Sequence, residues 1–82
     1  RVTGLKGHDP NKMYTLTWNP IRPKEEMREY RVYRDGTKIA ATANTNYKDQ
    51  EINPGDTHVY WVTWVNLLGQ ESVPGNKVMI GG

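Results

Sequence analysis

Apolar side chains along this chain recur at every second position more often than at helical spacing, the pattern of half-buried β-strands. In "MYTLTW", Tyr14, Leu16 and Trp18 fall on one face, with Met13, Thr15 and Thr17 on the other. In "EYRVYR", Tyr30 and Val32 point one way, and Arg31 and Tyr33 the other. Between such runs stand turn signals. "GHDPNK" follows a short first strand expected at Val2–Leu5, and "NPIRP" stops the second strand because its prolines cannot donate to a ladder. Asp35-Gly36 is the residue pair favoured by two-residue type I′ hairpins, and "INPGD" is a turn built on Pro54-Gly55. "KEEMRE" is too short and too charged to bury a helical face, so it reads as a loop. "KIAAT", "TNYKD" around Tyr47, residues 58–66 and "NKVMI" complete seven short strands, separated by turn signals every 8–12 residues or so. The expectation is an all-β sandwich without internal repeats.

One stretch departs from simple alternation. "DTHVYWVTWVN", residues 56–66, is apolar or aromatic on both faces. Counted in twos from Val62, Tyr60 and Trp64 join the core set, while Trp61, Thr63 and Val65 face out.

Composition narrows the function classes. Eighty-two residues make one domain spanning residues 1–82, with room for a single core. There is no cysteine, hence no disulfide or thiolate metal site. A net charge of +2, evenly dispersed, argues against nucleic acid as a partner. No apolar run approaches the ~20 residues of a membrane-crossing helix. The chain opens at Arg1 without a signal segment and reads as a module cut from a longer protein, monomeric by itself.

Candidate chemistry is sparse. Ser72 is the only serine, and no carboxylate pair is set up for acid–base work; Glu25, Glu26 and Glu29 read as a solvated run. His8 with Asp9 lacks further metal ligands, and no glycine-rich stretch has phosphate-loop spacing. No cofactor, metal or catalytic residue is expected, so the chain reads as a non-enzyme.

Four landmarks, in order and at matching separations, carry a family resemblance: "LTWNP", "EYRVYRDGTKIA", "INPGDTHVYWVTWVN" and "GQESVPGNKV". Together they resemble a fibronectin type III domain over nearly the whole chain, the hairpin being closest to bacterial or phage members. The resemblance implies an immunoglobulin-like sandwich of seven strands, with sheets ABE and C′CFG. It places Leu16, Trp18, Tyr30, Val32, Ile52, Tyr60, Val62 and Val78 inward, with Trp64 plugging the sandwich end under the F–G loop. It also marks a departure. The family's corner tyrosine falls on His58, so either the corner is altered or Tyr60 takes over its bond.

With strand C beside strand F, the resemblance gathers Arg31, Tyr33, Trp61 and Thr63 on one outer face, which Lys77 and Met79 extend. Two readings follow. Cross-strand packing of Tyr33 on Trp61, with Arg31 over an indole, explains these residues without a partner. A recognition face for a polysaccharide or a protein surface explains them too. "RDG" at 34–36 has the wrong order and the wrong place for integrin recognition. In the F–G loop, Leu67 and Leu68 form either a contact tip or, as expected here, a cap folded onto the core. The resemblance implies an extracellular, cell-surface or virion-surface accessory module that spaces neighbouring domains of its own chain. The alternative is a carbohydrate- or protein-binding module.

Overall fold

The computed structural model of the chain describes residues 1–8, 14–53 and 55–81. Met13, Asp9 and Pro54, invoked above for a strand face, a metal pair and a turn, lie outside the described residues.

The strands are β1 (Lys6–His8), β2 (Tyr14–Thr17), β3 (Met27–Arg34), β4 (Thr37–Thr42), β5 (Asn46–Asp49), β6 (His58–Asn66) and β7 (Val78–Ile80). They form two antiparallel sheets in the orders β1-β2-β5 and β4-β3-β6-β7. This is the ABE and C′CFG arrangement the resemblance implies. The charged turn at Lys24–Glu26 is a single 3-10 turn, and β3 begins directly after it at Met27.

Period-2 patterning explains the core. Tyr14, Leu16 and Trp18 from one sheet face Tyr30, Val32, Tyr60 and Val62 from the other, all buried. Ile52, Val78 and Trp64 pack against this cluster but remain partly exposed, so Trp64 flanks the core rather than closing it. Trp18 meets Tyr30 edge-on, ring centroids 5.6 Å apart. The hairpin turn is as expected: Asp35 and Gly36 have φ of 51° and 91°, the left-handed pair a type I′ turn requires.

The first strand is displaced. Val2–Leu5 is not in a strand ladder, and β1 lies at Lys6–His8, running into the segment read as turn. Val2 and Leu5 are nonetheless buried. They enter the core as a plug, with the Asn76 amide donating to the Leu5 carbonyl at 2.9 Å. The start of the chain is thus buried without a ladder. Val2 packs against the backbone at Gly75, where an added Cβ would sit 1.8 Å from the Val2 oxygen. Gly81 packs against Asp56 and Thr57. The body is 38 Å long and 20 by 18 Å across.

Candidate functional site

The outer face of β3 and β6 brings the sequence candidates together. Arg31 is registered with Thr63, and Tyr33 with Trp61. Tyr33 and Trp61 stack with rings 9° from parallel and centroids 5.7 Å apart. The other occupant of the indole is Lys77, whose Nζ lies 4.8 Å from the ring centroid. Arg31, expected over an indole, instead bridges two acids: Nε donates to Glu29 at 2.9 Å and Nη1 to Glu71 at 3.2 Å. A guanidinium fork finds better geometry on two carboxylates than on a ring already covered by Tyr33 and Lys77. Met79 lies one row away, opposite Val59, and is 72% exposed.

Glu71 is the member sequence reasoning missed. Its carboxylate accepts from the Tyr33 hydroxyl at 2.5 Å, the Thr63 hydroxyl at 2.6 Å and Arg31. The Thr63 and Tyr33 bonds hold the Glu71 carboxyl below its ordinary value. The chain after the 66–69 turn folds back, with the Ser72 amide donating to the Trp64 carbonyl at 2.8 Å and Val65 bridging Glu71. Thr63 and Val65, expected to face solvent, are therefore buried. A loop acid carries no periodic signal, so only the threonine and tyrosine awaiting an acceptor could have pointed to it.

The loop tip also corrects an expectation. Leu67 is 62% and Leu68 83% exposed, so neither caps the core. Asn66 explains why: its side-chain oxygen accepts from the Leu68 and Gln70 amides, closing a tight turn that lifts both leucines outward.

At the opposite end, His58 Nδ1 lies 2.6 Å from Asp35 Oδ2, and the Val59 amide donates to Asp35 Oδ1 at 2.9 Å. The imidazole thus ties the β3–β4 turn to β6 rather than bonding backbone upstream. A backbone bond at this corner comes instead from Tyr14, whose hydroxyl donates to the Asp56 carbonyl. The Tyr60 hydroxyl does not take the corner role. It donates at 2.6 Å to Asp49, a carboxylate with 0% exposure that Arg34 Nη1 also meets at 2.7 and 2.9 Å. Burial works against the Asp49 charge, yet Tyr60, Arg34 and the Glu51 amide hold its carboxyl below the ordinary aspartate value. Burial, reinforced by Asp49, pushes the Tyr60 phenol far up.

These shifts set a pH dependence. Asp49 and Glu71 bind protons more weakly folded than unfolded. Their contribution is complete above the unfolded values, about 4, and is lost as pH falls through the folded ones. The urea midpoint is expected to be level from about pH 7 to 5 and to decline below about pH 4. Glu71→Gln should flatten part of that decline, measured by tryptophan fluorescence across the acid range.

No family model matches the chain. A stretch of 55 residues is 38% identical to human (Homo sapiens) usherin, covering 66% of this chain and 1% of usherin. Another of 64 residues is 34% identical to the poly(3-hydroxybutyrate) depolymerase of Ralstonia pickettii, covering 78% of this chain and 12% of the depolymerase. Among solved structures, an Fn3-like protein from Clostridium thermocellum superposes with a TM-score of 0.84 at 26% identity, covering 95% of this chain and 86% of that one. Together with the strand order, this decides the family. The chain is a fibronectin type III domain. It is a module of a kind that occurs within much longer proteins, since it spans only a small fraction of both curated relatives.

Proposed function

We propose that this fibronectin type III domain is a non-catalytic spacer that sets the distance and orientation of neighbouring domains in an extracellular or surface-displayed protein. The observation that carries this is the internal satisfaction of its outer face. A sugar-stacking platform needs an aromatic ring with a free flat face, but Tyr33 stands against one side of the Trp61 indole and Lys77 is seated over the ring. The polar groups beside it are spent on each other: Arg31, Tyr33 and Thr63 all converge on Glu71. An elongated body suits a chain of modules. The depolymerase relative supports a setting beside an enzyme that acts on a polymer.

The competing reading, a carbohydrate- or protein-binding module working through Arg31, Tyr33 and Trp61, gives the opposite outcome in one experiment. The Trp61 indole signal in a proton–nitrogen spectrum is expected to stay fixed while neutral and acidic oligosaccharides or flanking domains are added. Trp61→Ala should cost about 1–2 kcal/mol of stability through lost stacking and cation–π contact, and change no affinity. A saturable shift of that indole, abolished by Trp61→Ala in a folded protein, would replace the spacer by the binding module.

A further inference from the structure

A second site lies away from the outer face, in a groove of about 450 Å³ between the segment after β2 and the β4–β5 connection. Its size falls within the 300–1,000 Å³ or so of small-ligand sites. Ile21, Met27 and Tyr30 give it an apolar floor, Arg22 and Lys24 a cationic rim, and Asn44 and Asn46 an amide wall.

Both walls are fixed by backbone bonds. The Ile21 amide donates to the Tyr30 hydroxyl at 2.9 Å, and the Trp18 amide donates to the Thr45 carbonyl at 3.1 Å. The Asn44 amide is held by the Thr42 hydroxyl at 3.1 Å. The functional heads are not so engaged. Among the described residues, the Arg22 guanidinium, the Lys24 ammonium and the side-chain amides of Asn44 and Asn46 have no hydrogen-bond or ion-pair partner. This is the reverse of the outer face, where Arg31, Tyr33, Thr63 and Glu71 answer one another.

We propose that this groove binds a carboxylated sugar, a uronic-acid residue of an acidic oligosaccharide. Each part of such a ligand has a counterpart. Apolar ring C–H faces meet Ile21 and Met27, hydroxyls meet the two asparagine amides, and the carboxylate meets Arg22 and Lys24. A polyacidic peptide fits less well. It offers the carboxylates, but no sugar ring to lie on Ile21 and Met27 and no hydroxyls for the two asparagine amides.

The probe is tri-galacturonic acid, titrated into the labelled 82-residue domain. Saturable shifts are expected at the Ile21 amide and at the Asn44 and Asn46 side-chain amides, with the Trp61 indole unmoved. The Arg22→Gln/Lys24→Gln pair should weaken binding at least tenfold, and raising salt should weaken it in the wild type. Unchanged tryptophan indole signals would confirm that the variant is folded; Asn44→Ala, which leaves the rim charges in place, is the second variant and should also weaken binding. Absence of shifts, equal binding of the methyl-esterified trisaccharide, or equal binding of a tri-glutamate peptide would each overturn the proposal. None of these outcomes moves Trp61, so they are separable from a failure of the spacer reading.

Discussion

Asp49→Ala should destabilise the domain by about 3 kcal/mol or more, since it removes a fully buried carboxylate and orphans a half-buried guanidinium and a buried phenol. The carboxylate stands at the end of β5 in one sheet, and both of its side-chain donors, Arg34 on β3 and Tyr60 on β6, belong to the other. It is a polar bolt through an otherwise apolar sandwich. Deleting it leaves a guanidinium and a phenol without their acceptor. A domain of 82 residues has about 4–12 kcal/mol in total, so the variant should melt at least 12 °C or so lower, or fail to fold at 37 °C. Tyr60→Phe keeps the packing and removes one donor, and should cost about 1–3 kcal/mol. Replacing Asp49 and Arg34 together by Leu and Met should recover much of the loss, since the cost lies in the orphaned partner. Urea unfolding of the four proteins checks this; a loss below about 1 kcal/mol for Asp49→Ala would mean that the bolt carries little load.

The three tryptophans should separate by a similar margin. Trp18→Ala is expected to cost about 3–5 kcal/mol, because it removes a large buried ring that faces Tyr30 edge-on at the centre of the cluster. The Trp18 Nε1 group is buried without a hydrogen-bond partner among the described residues, so its worth is apolar and Trp18→Phe should keep more than half of it. Trp61→Ala loses only a surface stack, and Trp64→Ala a half-buried contact at the sandwich end, so both should fall well short of Trp18. Chemical denaturation followed by circular dichroism gives the order directly. Equal losses at Trp18 and Trp61 would contradict the assignment of faces.

The faces of β2, β3 and β5 were legible because a two-residue period survives in them, and the Asp35-Gly36 turn because its backbone demands those residue types. The Asp49 bolt was legible too, and went unread. Counting in twos from Tyr47 puts Asp49 inward, and from Val32 and Val62 puts Arg34 and Tyr60 inward, three complementary groups on facing sheets. Other features were beyond a periodic reading. Glu71 sits in a loop, where position depends on how the chain folds back over β6. Val2–Leu5 carries apolar residues at both ends and was read as a strand, but burial and ladder pairing are separate events, and only burial occurs there. The exposed Leu67–Leu68 tip follows from the Asn66 turn geometry, which outweighs the pull of two apolar side chains.

The central claim is that the module holds what flanks it at a fixed separation. Because the chain has no cysteine, two single labels can be placed at will. The decisive measurement is the distance distribution between one label on each of two reporter domains joined through this module, by pulsed electron resonance. One narrow peak, unchanged by oligosaccharides, is expected. A distribution as broad as that of a Gly/Ser chain of equal length, whose r.m.s. span is about 50 Å, would contradict it.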